Sequence, residues 1–78
     1  MKNKKLLDEA DLARLAKEFR KAAGKTKVAV AQEMGVQHPS IFHAEESPNQ
    51  SLLKLRIRMI EAYSPYKVIG PVFLLKKK

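Results

Sequence analysis

Seventy-eight residues with a hydrophobic fraction of 45% and a formal net charge of +8 make one small domain with a modest core, and exclude a disordered chain. With no cysteine and two histidines, disulfides and a four-ligand protein zinc site are excluded, so no metal or other cofactor is expected. No apolar run approaches the roughly 18 residues of a membrane span, and no signal-peptide hydrophobic region follows the basic start, so no membrane association and a cytoplasmic location are expected.

The charge is unevenly spread. Residues 1–27 carry nine Lys/Arg against four acids, residues 28–50 none against three, and residues 51–78 seven against one. Positive flanks around an uncharged-to-acidic centre suggest a polyanionic partner, most often nucleic acid. The plain alternative is a solvated surface kept soluble by repulsion.

In chain order, MKNKK is polar and predicts a frayed, basic N-terminus over residues 1–7. Asp8 is placed to cap a first helix, with Glu9 and Asp11 favouring the positive end of its dipole. Leu12, Leu15, Ala16 and Phe19 share one face of that helix, and Gly24 stops it. Thr26 caps a second helix, KVAVAQEM, whose β-branched valines are expected to pack inward, and Gly35 ends it. A third helix starts near His38, with Pro39 in its first turn, and ends around Glu45. The segment ESPNQ is a loop. Ser51 is expected to cap a fourth helix, LLKLRIRMIEAY, with Leu52, Leu55, Met59 and Ile60 on its apolar side and Lys54, Arg56, Arg58 and Glu61 elsewhere. Ser64-Pro65 breaks that helix. The tail YKVIGPVFLLKKK is β-prone and predicts one strand, with a bulge or edge at Gly70-Pro71.

Two short helices, 27–34 and 38–45, joined by a three-residue turn containing Gly35, predict a helix-turn-helix unit. Ala31 must be small where the helices cross, and Gly35 must tolerate positive φ. Val30, Met34, Val36, Ile41 and Ala44 must be apolar to close the unit onto helices one and four.

From Phe19 to about Met59, FRKAAGKTKVAVAQEMGVQHPSIFHAEES followed by SLLKL, the chain resembles the lambda-repressor/Cro-type (XRE) helix-turn-helix family. Its tail is similar to that of short antitoxin-like members of the HipB type. The resemblance implies a mostly α fold, a four-helix lambda-repressor-like DNA-binding domain over residues 8–63. Residues 64–78 would form a C-terminal β-strand that pairs across a dimer, followed by a basic tail. It further implies a homodimeric regulator, a repressor, that binds double-stranded DNA at an inverted repeat.

The family's base-reading positions fall on Gln37, His38, Pro39, Phe42 and His43, with Ser40 at the margin. Pro39 and Phe42 could meet a thymine methyl, and the polar side chains could meet base edges. The plain alternative is a core or partner contact for Phe42 and exposed side chains for the histidines. Histidine titrates near neutrality, so this surface would gain positive charge as pH falls. The phosphate-facing positions are Lys25, Thr26 and Lys27, beside a helix N-terminus. Arg20 and Glu45 match a structural pair tying the first helix to the third. Val68, Ile69, Val72, Phe73 and Leu74 would form the dimer strand, which is too short for a sheet by itself. Three departures stand out: the third helix lacks arginine, the 46–50 loop lacks a basic residue, and Ala44 is small enough to leave the third helix lightly anchored.

An enzyme is not expected, because Glu45 and Glu46 do not converge and neither histidine has a nucleophile beside it. The alternative function is an antitoxin that binds a toxin protein and autoregulates its operon. Peripheral membrane binding through VFLLKKK is weak, because the segment is short for stable anchoring.

Overall fold

The computed structural model describes residues 6–70 and 74–78, with Leu74 described by its backbone alone. The described chain holds helices α1 (Glu9–Ala22), α2 (Lys27–Met34), α3 (His38–Glu46) and α4 (Leu53–Tyr63), then strands β1 (Tyr66–Ile69) and β2 (Leu74–Lys77). It is mostly helical, with one two-stranded antiparallel sheet. Among the described residues no helix is long and apolar enough to cross a membrane.

Helix α1 begins on a capping box. The Asp11 N–H donates to Asp8 Oδ1 at 2.8 Å and the Asp8 N–H donates to Asp11 Oδ2 at 3.1 Å. Two orphan donors are thus satisfied at once, as the sequence pattern predicts. Leu12, Ala13 and Ala16 are buried, while Leu15 and Phe19 pack on the core from its edge. Beyond the helix, Gly24 takes φ +72°, which suits a residue without Cβ.

Thr26 caps α2, its Oγ1 accepting from the Ala29 N–H at 3.0 Å. Val30 and Ala31 are buried, but Val28 is 51% exposed, so the expectation that both valines pack inward is corrected. Two residues apart on a helix are about 200° apart around its axis, and an eight-residue helix lying on one core cannot bury both.

At the end of α2, the Val36 N–H donates to the Ala31 carbonyl (3.0 Å) and the Gly35 N–H to that of Gln32 (3.3 Å). Gly35 has φ +70°. This bonding turns the chain sharply into α3 while satisfying otherwise orphaned carbonyls.

Helix α4 departs from expectation at its start and on one face. Its N-cap is Leu52, with no side-chain cap hydrogen bond, rather than Ser51. Leu52 is drawn onto the core there, which fixes where the helix can begin. Arg56, expected on the polar side with Lys54 and Arg58, has no exposed surface at all.

The tail is not one interrupted strand. It folds back as a hairpin, with Tyr66 opposite Lys77, Lys67 opposite Lys76, Val68 opposite Leu75 and Ile69 opposite Leu74. Folding back satisfies ladder groups that a lone strand would leave open. Val68 and Leu75 pack against the core, and the Tyr66 ring lies 6.0 Å from that of Phe19. Val72 and Phe73, expected in the strand, lie outside the described residues.

The core that joins these parts consists of Leu12, Ala16, Val30, Ala31, Ile41, Ala44, Leu55, Met59 and Ile60. Helix α1 packs on α4 and α3, α2 packs on α3, and β1 packs on α4. Alanines at 16, 31 and 44 let the helices approach closely enough to leave these larger side chains dry.

Candidate nucleic-acid interface

Helix α3 has two faces of opposite character. Ile41, Ala44 and Glu45 are buried, whereas Gln37, His38, Pro39 and Phe42 are exposed, Phe42 by 47%. Positions 38, 39 and 42 form a stripe at i, i+1 and i+4, on the side of the helix away from Ile41 and Ala44. Ser40 is half-buried at the wall of a groove. His43 is half-buried too, its ring centroid 5.4 Å from that of Phe42 in an edge-on contact. Thus four of the six expected base-reading side chains are openly presented, and Ser40 and His43 flank them.

His43 is also held from behind. Its Nδ1 lies 3.1 Å from Ser47 Oγ and 3.5 Å from Gln50 Nε2. Nε2 has no hydrogen-bond partner among the described residues.

The inner face of α3 is fixed by two arginines. Arg20 donates from Nε to Glu45 Oε2 at 2.5 Å and from Nη2 to Glu45 Oε1 at 3.1 Å, while Nη1 donates to the Lys25 carbonyl at 2.8 Å. The pair joins α1 to the last turn of α3 and also pins the segment leading into α2. The expected structural pair is therefore present, and it is almost wholly buried.

Arg56 is the second anchor. Its Nε donates to the Ala44 carbonyl (2.9 Å), Nη1 to the Gln50 carbonyl (3.0 Å) and Glu9 Oε1 (2.8 Å), and Nη2 to the carbonyls of Ser47 (2.7 Å) and His43 (3.5 Å). It acts as a buried cap on the negative end of α3. The expectation that Ala44 leaves α3 lightly anchored is corrected: what the small side chain does not grip, the guanidinium does. The signal was available in the spacing. Arg56 stands at i+4 from Leu52 and one residue after Leu55, squarely on the apolar face.

The expected phosphate-facing residues behave differently from one another. Lys25 Nζ lies 2.7 Å from Glu33 Oε2, and Glu33 also accepts from the Tyr63 hydroxyl. The Lys25 and Tyr63 hydrogen bonds, in that order, hold the Glu33 carboxyl below its ordinary value. A phosphate would therefore compete with Glu33 for Lys25. Thr26 spends an oxygen lone pair on the helix cap, which leaves its hydroxyl hydrogen able to donate. Lys27 occupies the first turn of α2. At the other end of α3, Glu46 pairs with Lys17 at 2.7 Å, and that hydrogen bond, then the charges of Lys17 and Lys27, lower its pKa. The acid that the sequence places beside this surface thus stays ionised, paired with Lys17.

A groove of about 600 Å³ runs beside α3, lined by Val36, Leu52, Leu53 and Leu55 with Lys54 and Arg58 among its walls. Arg58 Nη2 donates to the Met34 carbonyl at 2.9 Å, bracing the end of α2 against α4.

Comparison with known protein families, characterised proteins and solved structures found no match to this chain.

Proposed function

We propose that this chain is a sequence-specific double-stranded DNA-binding regulator of the lambda-repressor/Cro type. It acts as a homodimer on an inverted repeat and represses transcription. The observation that carries the reading is the division of α3. Its inner face is pinned by Ile41, Ala44 and two buried arginines, and its outer face offers Gln37, His38, Pro39 and Phe42. A rigidly supported helix with an apolar ring among short polar groups suits the floor of a major groove, where thymine methyls and base-edge donors and acceptors lie together. Affinity then comes from the basic flanks, since residues 28–50 hold no lysine or arginine. Lys27, Thr26 and a Lys25 released from Glu33 are the phosphate contacts, beside the N-terminus of α2.

Selection of bound sequences from a random double-stranded pool tests the proposal. The expected product is an inverted repeat with half-sites about one turn, ~34 Å, apart. Its affinity should fall linearly on a log–log plot against salt. A pool that never enriches would overturn the reading.

A second reading, an antitoxin that binds a toxin protein, is favoured by the groove beside α3, whose apolar floor and basic walls suit an apolar segment flanked by acids. Leu53→Glu would abolish a protein complex formed through that groove and leave DNA selection intact.

A further inference from the structure

Arg56 makes an unusual investment for a core position. An apolar side chain at that point on α4 would avoid the desolvation of a charge that has a single, half-exposed carboxylate partner in Glu9. What the guanidinium supplies instead is direction. It has five N–H donors and meets five acceptors, four of them backbone carbonyls of His43, Ala44, Ser47 and Gln50. Two of those four residues, Ser47 and Gln50, are the ones whose side chains converge on Nδ1 of His43. Backbone held by Arg56 thus carries the groups that hold the His43 ring.

Gln50 Nε2, 3.5 Å from Nδ1, can only donate, and Ser47 Oγ at 3.1 Å can donate as well, so both neighbours favour Nδ1 as acceptor and the proton of a neutral ring on Nε2. That nitrogen has no partner among the described residues, and the adjacent Phe42 ring lies edge-on to the imidazole, with the centroids 5.4 Å apart. We propose that Arg56 is the positioning residue of the reading surface: through Ser47 and Gln50 it sets the orientation and proton placement of His43. His43 thereby presents an Nε2–H donor to an acceptor-bearing base edge, a purine N7, guanine O6 or thymine O4. The inference rests on the DNA-binding reading for its ligand, and on the described geometry alone for the ring.

Two measurements separate these. Long-range proton–nitrogen spectra of the free protein report which imidazole nitrogen is protonated. Native His43 should show one tautomer, with the proton on Nε2, and both Arg56→Lys and the Ser47→Ala/Gln50→Ala double variant should show a mixture. The double variant alters a half-buried and an exposed side chain outside the core, so it keeps the test open even where Arg56→Lys fails to fold. In random-pool selection, both variants should lose preference at one position of each half-site by roughly ten-fold, with an unchanged salt slope. A mixed tautomer in the native protein overturns the positioning role, as does an unaltered preference in the double variant. If the native protein enriches no sequence, the DNA reading fails, and the spectra still decide whether Arg56 orders the ring.

Discussion

The guanidinium of Arg20 and the carboxylate of Glu45 meet edge to edge, through hydrogen bonds of 2.5 and 3.1 Å, with the Glu45 side chain wholly shielded from solvent. Such a pair is costly to break and cheap to replace. Arg20→Met alone or Glu45→Gln alone should destabilise the fold by about 3–5 kcal/mol, because each strands its partner. An Arg20→Met/Glu45→Leu double variant should recover most of that loss. Urea denaturation of the three variants measures it, and equal losses in singles and double would show that no stranded charge is involved.

Phe42 and Ile41 are neighbours in sequence with opposite environments. Ile41→Ala should cost about 2–5 kcal/mol, since the side chain is fully buried. Phe42→Ala should stay within about 0.5 kcal/mol of the native stability, yet weaken binding to the selected DNA and relax the preference for thymine at the base it meets. Thermal melts and fluorescence anisotropy titrations on the same samples would separate the two residues.

Positioning and reading should also separate on the DNA side. Lys27→Ala is expected to weaken all sequences alike and to reduce the salt slope by about one. Gln37→Ala should instead relax preference at particular base pairs. A panel of single-base operator variants, titrated at several salt concentrations, distinguishes the outcomes.

The hairpin changes how strand pairing between two copies would be tested. The N–H groups of Tyr66 and Val68 donate to Ser64 Oγ (3.2 Å) and Glu61 Oε2 (3.0 Å), so the outer edge of β1 is already occupied by its own chain. Those residues and their partners Lys77 and Leu75 are therefore the non-hydrogen-bonded pairs of the ladder. Among the described residues no hydrogen bond reaches the outer edge of β2, where the Leu75 and Lys77 N–H groups point away from β1. Lys77→Pro removes one such donor and spares the hairpin. A strand-paired dimer should become monomeric on sedimentation, with its circular dichroism unchanged. A dimer that survives would have to use another face.

Tyr63 carries a pH signature. Burial first, and then the hydrogen bond to Glu33, push its phenol up to about 12. Because the folded value lies above the ordinary value of about 10, this stabilisation is complete below about pH 10. It is lost as pH rises through about 12. Ultraviolet titration should show a late phenolate step that disappears in Tyr63→Phe, and that variant's stability should depend less on pH in this range.

Local chemistry was legible without the fold. Asp8, Thr26, Gly24 and Gly35 each act through bonds or dihedrals within a few residues of themselves, so the four helices and the sharp turn before α3 follow from the sequence. The same holds for Val30, Ala31, Ile41 and Ala44, whose spacing defines one buried face. Apart from the Arg20–Glu45 pair, which the family resemblance supplied, contacts that close over long stretches of chain were not legible. The spacing puts Arg56 on the apolar face of α4, but only the approach of α3's last carbonyls to α4 makes a buried site that its N–H groups can fill. Val28 looks as apolar as Val30 until the axis of α2 is set by what it packs on. The tail shows strand propensity, but propensity does not choose between a partner's edge and its own. That choice falls to tertiary packing, where Val68 and Leu75 cover the core together and Glu61 and Ser64 take the outward N–H groups of β1.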